Sequence, residues 1–209
     1  MILSTPRLIP FFRPFVHISK FSTTSSLLTS TTETTATTNT IVEPDDFFHR
    51  VDLRVGKIID AEHHPEADHL YIEKVDVGEE QVRTIVSGLA KYMPKEELKD
   101  KQVIVVANLK PSRFRGVLSQ GMLLAASNKS IVDLLTVPHN SLNGERVFIE
   151  GSSSSSSPDS ILKPKQKVFE QVAQHLMTDD DGIATYKNSV LMTSAGPVFS
   201  TKVKHGQIS

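Results

Sequence analysis

The residues that could do chemistry are concentrated in one stretch, from residue 108 to residue 122. It reads NLKPSRFRGVLSQGM and places three cations, Lys110, Arg113 and Arg115, within six residues. The wider segment 101–132 contains five basic residues and no acidic one. Closely spaced guanidinium and ammonium groups can contact successive phosphates of a polyanion. The stretch therefore predicts a nucleic-acid interface, and the alternative is a set of solvated loop charges.

Hydrogen-bonding and shaping residues accompany these cations. Asn108 and Ser119 offer groups suited to sugar or base edges. Pro111 and Gly116 restrain and shape the stretch, which reduces the cost of ordering it when a ligand binds. Phe114 is the aromatic residue of the stretch, and an aromatic residue in a loop more commonly anchors that loop to the core.

Catalytic and metal-binding chemistry find little support. The chain contains no cysteine, which excludes a zinc-thiolate site, an iron–sulfur cluster and cysteine catalysis. His63, His64 and His69 lie near Asp68 in a Pro-containing segment, but their spacing is a weak match to a metal site. No serine is surrounded by a nucleophile-elbow pattern. We therefore expect no metal, no cofactor and no enzymatic activity.

The overall charge argues against a uniformly basic protein. The 209 residues include 23 Lys and Arg and 24 Asp and Glu, a formal net charge of −1. Between Asp60 and Glu80 there are eight acidic residues and one basic residue. A nucleic-acid contact must therefore arise from an uneven distribution of charge. No apolar run reaches the roughly 18 residues needed to span a bilayer, so no membrane association is expected.

The first forty residues have a composition unlike the rest. Arg7, Arg13 and Lys20 are their basic residues, Glu33 is their only acidic one, and a Ser/Thr-rich tract follows residue 21. This composition is typical of an organelle transit peptide and predicts delivery to mitochondria. The alternative is a cytoplasmic protein with a disordered tail that carries no address.

The body alternates strand and turn patterns. Apolar residues recur with a period of two or in short continuous runs, and a polar, helix-compatible segment covers 91–99. Five short strands and one short helix predict an all-β core, a five-stranded oligonucleotide-binding barrel, with a small sandwich as the alternative. The predicted strands cover residues 51–61, 70–77, 81–87, 102–107 and 121–127.

Weaker patterns continue after the barrel. A serine run at 152–157 predicts a flexible loop. A helix is predicted from Lys163 to Met177, followed by a hairpin around Lys187. These elements are too small to fold alone, so we expect a small α+β extension packed on the barrel. The predicted organisation is a leader (1–40), a barrel domain (45–150), a Ser-rich loop (151–160) and a C-terminal extension (161–209).

Four blocks of sequence resemble one family. They are Val51–Ile58, His64–Tyr71, Arg83–Leu89 and the stretch 108–122. They are similar to the tRNA-binding domain of the endothelial-monocyte-activating-polypeptide-II type, which also occurs at the C terminus of some methionyl- and tyrosyl-tRNA synthetases. The resemblance implies a non-catalytic barrel that binds tRNA and assists an aminoacyl-tRNA synthetase. It also implies that the extension mimics a dimer interface, which leaves the protein a monomer.

The basic stretch and the resemblance together define a predicted RNA-binding site. The alternative function is a scaffold or signalling module that binds a synthetase without RNA. No Lys-rich helical arm precedes the barrel, so modest affinity is expected. The predicted phosphate contacts are Lys110, Arg113, Arg115, Arg54, Lys57 and Lys91. The predicted groove residues are Asn108, Ser119, Met122 and Ser87.

Overall fold

The computed structural model describes residues 46–129, 131–152 and 156–209. The prediction of a leader at 1–40 lies outside these residues, as does the middle of the serine run. Both stay predictions. Within the described residues, no helix is both long and apolar enough to cross a bilayer.

Strands dominate the described residues. Three short 3-10 helices, η1 (Phe47–Arg50), η2 (Lys95–Glu97) and η3 (Pro164–Gln166), and one α-helix, α1 (Val168–Ala173), connect them. The strands are β1 (Leu53–His64), β2 (Ala67–Asp76), β3 (Arg83–Ser87), β4 (Gln102–Val106), β5 (Ser112–Phe114), β6 (Val117–Ser119), β7 (Met122–Leu123), β8 (Ala125–Asn128), β9 (Ile131–Leu134), β10 (Phe148–Ile149), β11 (Leu176–Thr178), β12 (Ala184–Tyr186), β13 (Ser189–Thr193), β14 (Gly196–Pro197) and β15 (Gln207–Ile208).

The barrel is one antiparallel sheet with the strand order β3-β2-β1-β4-β7. It curls until its two ends meet, where the backbone N–H of Gln120 donates to the carbonyl of Thr84 at 2.8 Å. The all-β barrel predicted from the sequence is therefore confirmed. A β-bulge lies in β1 at Ile59, between the paired residues Ile58 and Asp60. Gly56 serves close packing, because a Cβ there would lie 2.9 Å from Val75 Cγ1.

The strand β4 faces two hydrophobic cores. Val103 and Val105 point into the barrel interior, whereas Ile104 and Val106 pack in a second core that the barrel shares with the C-terminal extension. This double burial explains why β4 is a continuous apolar run rather than an alternating one. The second core also contains Leu53 from the barrel.

The extension adds strands to a second sheet, which runs β10-β13-β12-β11-β15-β8-β9. Its strand β15 pairs with β8, which follows β7 directly, with Ile208 opposite Ala126. The extension therefore packs on the barrel, as predicted. The hairpin β12–β13 turns at Lys187 and Asn188, both with positive φ (48° and 66°). A two-residue turn of this kind matches the twist of antiparallel strands.

Both predicted helices are shorter than the sequence pattern indicated. In the segment 91–99 only η2 is helical, and Asp100 at φ 64° directs the chain into β4. In the segment 163–177, Lys167 at φ 49° separates η3 from α1. Leu176 belongs to β11, where it pairs with Tyr186. The position of Leu176 in the sequence fits a helical spacing, but its side chain is buried because β11 packs on the same core as α1.

Candidate nucleic-acid interface

The basic stretch forms a β-hairpin rather than the predicted loop. Strands β5 and β6 pair, with Phe114 opposite Val117, and Arg115 and Gly116 make the turn at φ 46° and 89°. Two central residues with positive φ are the requirement of the favoured two-residue hairpin turn. Arg113 and Arg115 are exposed on this hairpin. We call residues 112–119 the basic hairpin.

The base of the basic hairpin is fixed to β3 by Ser119. Its buried hydroxyl accepts a hydrogen bond from the backbone N–H of Val86 at 3.0 Å and donates to the carbonyl of Gly121 at 3.0 Å. Ser119 was placed in the groove by sequence reasoning, and the structure shows that its hydroxyl holds the hairpin in position.

The tip of the basic hairpin is held by a buried histidine. His64 Nδ1 accepts the backbone N–H of Glu66 at 3.1 Å, and Nε2 lies 3.2 Å from the carbonyl oxygen of Phe114. Because Nδ1 accepts, the ring proton is assigned to Nε2, which donates to Phe114. The β1–β2 hairpin thereby anchors the basic hairpin through its backbone.

Asn108 is buried where three segments of the chain meet. Its Oδ1 accepts the backbone N–H of Asp52 at 3.0 Å, and its Nδ2 donates to the carbonyls of Arg50 and Asp159 at 2.9 and 2.8 Å. Sequence reasoning made Asn108 a groove residue. The structure instead engages its amide inside the protein, where it fixes the start of the basic stretch.

Replacing Asn108 with alanine is expected to lower the free energy of unfolding by about 2 kcal/mol, because two carbonyls and one N–H lose their partner. Urea denaturation measures this loss. Alanine at Asn140, which is exposed, is the matched control and should change stability by less than about 0.5 kcal/mol. Equal effects of the two substitutions would show that the buried amide has no structural role.

The cations of the basic stretch have no acidic partner in the described residues. Lys110, Arg113 and Arg115 form no ion pair there, although Arg113 donates to the carbonyl of its own turn residue Gly116 at 3.0 Å. Their charge is therefore available to an anionic ligand. The basic hairpin concentrates positive charge at one place on a chain that is slightly anionic overall.

Other cations from the predicted site are engaged elsewhere. Arg54 pairs with Asp52 at 2.8 Å and with Glu79 at 3.4 Å. Lys57 pairs with Asp100 at 2.9 Å. These pairs offset the charges of both side chains, so they contribute less to a phosphate site than the hairpin cations do.

Two further members of the predicted site lie at the end of β3 and in the connection that follows it. Lys91 is exposed in the connection between β3 and η2. Ser87 hydrogen-bonds to the carboxyl of Glu73, a residue with no exposed surface. Burial raises the pKa of Glu73 to about 7, although the bond with Ser87 opposes that rise. The Ser87 hydroxyl is thus engaged by a buried carboxyl group.

A cavity of about 300 Å³ lies between the basic hairpin and the C-terminal extension. The predicted residues Lys110, Ser119 and Met122 line it, together with Phe114. The extension contributes Lys163 and Phe169, among others, to the same cavity. Sequence reasoning missed Lys163 and Phe169, although the basic Lys163-Pro164-Lys165 segment offered a signal.

No group of three or more His, Asp or Glu residues within the described ranges is arranged to hold a metal ion. His64 explains why the histidine-rich segment is not such a group. Its ring nitrogens are used by Glu66 and Phe114, and this segment positions the basic hairpin.

Comparison with known proteins places these features in a family. The family profile described as "Putative tRNA binding domain" matches residues 53–146. The cytoplasmic tyrosine–tRNA ligase of Gallus gallus is 45% identical over 163 residues, which cover 77% of this chain and 31% of the ligase. The aminoacyl tRNA synthase complex-interacting multifunctional protein 1 of Mus musculus is 44% identical over 140 residues, 67% of this chain and 44% of that protein. The chain thus spans less than half of the length of these curated relatives.

A solved structure matches most of the chain. The C-terminal domain of Plasmodium vivax p43 superposes with a TM-score of 0.75 and 36% identity, covering 78% of this chain and 99% of that domain. This match covers more of the chain than the family profile does, since the profile spans residues 53–146 only. The chain therefore belongs to the tRNA-binding domain family that is found in synthetases and synthetase-associated proteins.

Proposed function

We propose that the protein binds tRNA through the basic hairpin and the adjoining cavity, and that it assists an aminoacyl-tRNA synthetase without catalysing a reaction itself. The observation that carries this proposal is a hairpin fixed at both its base and its tip, whose cations have no acidic partner among the residues that the structure describes. A prepositioned cationic element binds phosphates with little ordering cost. Family membership indicates that the polyanion is tRNA.

The synthetase part of the proposal is supported by the relatives, because their printed names are those of tRNA ligases and of a synthetase-complex protein. We also propose that the chain acts as a monomer whose extension takes the place of a second subunit. The extension already covers Leu53 and Ile104 of the barrel in a shared core.

Substituting Arg115 with alanine tests the phosphate contact. We expect tRNA affinity to fall about fivefold, similarly for many tRNAs, because one phosphate contact is lost without loss of base recognition. The slope of log affinity against log salt concentration should decrease by roughly one. Filter binding over a range of salt concentrations measures both quantities.

Alanine at Lys202 is the matched control, since this exposed cation pairs with Glu97 at 3.2 Å on another part of the chain. It should leave the salt slope unchanged. A wild-type affinity that does not depend on salt would reject the phosphate-contact proposal. Capture of a synthetase after RNase treatment, with no measurable tRNA binding, would favour the RNA-independent scaffold.

A further inference from the structure

The ring of Phe114 lacks the role expected of an aromatic residue in a turn region. An anchoring ring would be buried, as Phe48 is at 7% exposure, whereas Phe114 is 43% exposed. The hairpin is anchored instead by the Phe114 backbone carbonyl and by Ser119. The face of the Phe114 ring is thus available to a ligand, and Phe114 lines the cavity between the hairpin and the extension.

The cavity combines apolar surface with a cation on each wall. Phe114 and Lys110 come from the basic stretch, and Phe169 and Lys163 come from the extension. Met122 adds apolar surface from the barrel. A nucleotide has the complementary chemistry, since its base has flat apolar faces and its flanking phosphates are anionic. Stacking of a base on an aromatic ring is a common element of single-strand recognition.

The size of the cavity limits what can occupy it. Its volume of about 300 Å³ is at the lower end of the range of about 300–1,000 Å³ found for small-molecule sites. A single planar base is compatible with this volume, whereas an amphipathic helix of a partner protein requires a longer groove. Glu170 also lines the cavity, and its carboxylate can accept a hydrogen bond from the exocyclic amino group of a base.

We propose that this cavity binds one unstacked, amino-bearing nucleobase of tRNA, with the flanking phosphates on Lys110 and Lys163. The inference rests on the proposed tRNA binding and adds a base-binding site that is built jointly by the barrel and the extension. The extension is then part of the RNA-binding surface as well as a structural support.

The experiment uses the full chain and two kinds of single-stranded probe, an intact cytidine hexamer and a set of hexamers with one abasic nucleotide at each position in turn. For the wild type, removing the base that enters the cavity should lower affinity about 10-fold. The Phe114→Ala variant should bind the intact hexamer about 10-fold more weakly and show no further loss with the abasic probes. The Phe114→Tyr variant keeps the aromatic face and should bind like the wild type.

Leu118→Ala is the matched control, because Leu118 is 40% exposed on the same hairpin and does not line the cavity. It should bind all probes like the wild type. The inference is overturned if every abasic hexamer binds the wild type as tightly as the intact one, or if Leu118→Ala weakens binding as much as Phe114→Ala. It is also overturned if Phe114→Ala binds every RNA probe like the wild type and loses only the binding of a protein partner. In these cases salt-dependent tRNA binding by the wild type still supports the proposed function, which fails if tRNA does not bind or if its binding does not depend on salt.

Discussion

Replacement of Asp133 with alanine is expected to lower the free energy of unfolding by about 3 kcal/mol. Asp133 lies in β9 with no exposed surface, and its Oδ2 accepts the Ser200 hydroxyl at 2.8 Å. The backbone N–H groups of Thr201 and Lys202 donate to the same oxygen at 2.9 and 3.0 Å. Alanine leaves these donors without a partner and loosens the end of the extension. Urea denaturation measures the loss in stability.

The contribution of Asp133 should also depend on pH. Burial acts to raise its pKa, but the hydrogen bonds from Ser200 and Lys202 and the charge of Lys101 outweigh burial and keep the pKa below the ordinary value of 3.8. A lowered pKa in the folded state means that the stabilisation is complete above 3.8 and is lost as the pH falls through the folded-state value. The difference between wild type and variant should therefore shrink only in strong acid.

Alanine at Asp68, an exposed acidic residue of β2, is the control for Asp133. It should change the free energy of unfolding by less than about 0.5 kcal/mol. A loss of less than about 1 kcal/mol for the Asp133 variant would mean that water replaces the carboxylate, contrary to its complete burial.

Glu73→Gln is expected to stabilise the protein at pH 8 by up to about 3 kcal/mol. Glu73 is buried in the barrel, and its Oε2 has no hydrogen-bond partner among the described residues. Burial raises its pKa from 4.5 to about 7. The folded state then binds a proton that the unfolded state has released, so stability is full below about pH 4.5 and falls as the pH rises towards 7. Glutamine stays neutral throughout this window.

The test for Glu73 compares the unfolding free energies of wild type and Glu73→Gln from pH 4 to pH 8. The advantage of glutamine should grow through the window and become constant above it. Glu66→Gln, at an exposed position, should show no such trend. An advantage that is independent of pH would contradict titration of Glu73 in the window.

The elements that could be predicted were those specified by neighbouring residues. The unbroken apolar run of β4 is the pattern of a strand buried on both faces, and β4 does lie between the two cores. The Lys187–Asn188 turn was marked by polar residues between two apolar segments. In the basic stretch, the Arg115-Gly116 pair between short apolar segments was an available signal for a hairpin. It was missed because Pro111 and the polar residues favoured a loop.

The features that could not be predicted depend on residues far apart in the chain. Asn108 is buried because Arg50 and Asp159 converge on it, and nothing in its own neighbourhood indicates this contact. Arg54 is paired because Glu79 reaches it from the segment between β2 and β3. Likewise, the contribution of Lys163 and Phe169 to the cavity requires the extension to fold back on the barrel, and only the tertiary structure shows where it does so.

The position of β4 between two cores has a consequence for cooperativity. If the chain were cut at the serine run and the C-terminal part removed, Leu53, Ile104 and Val106 would be exposed to water. The remaining fragment would then carry an exposed apolar surface. Such a fragment is prone to aggregate rather than to persist as a smaller folded unit. Barrel and extension should consequently melt in a single transition, and each half supplies the other with the partner surface it needs to fold.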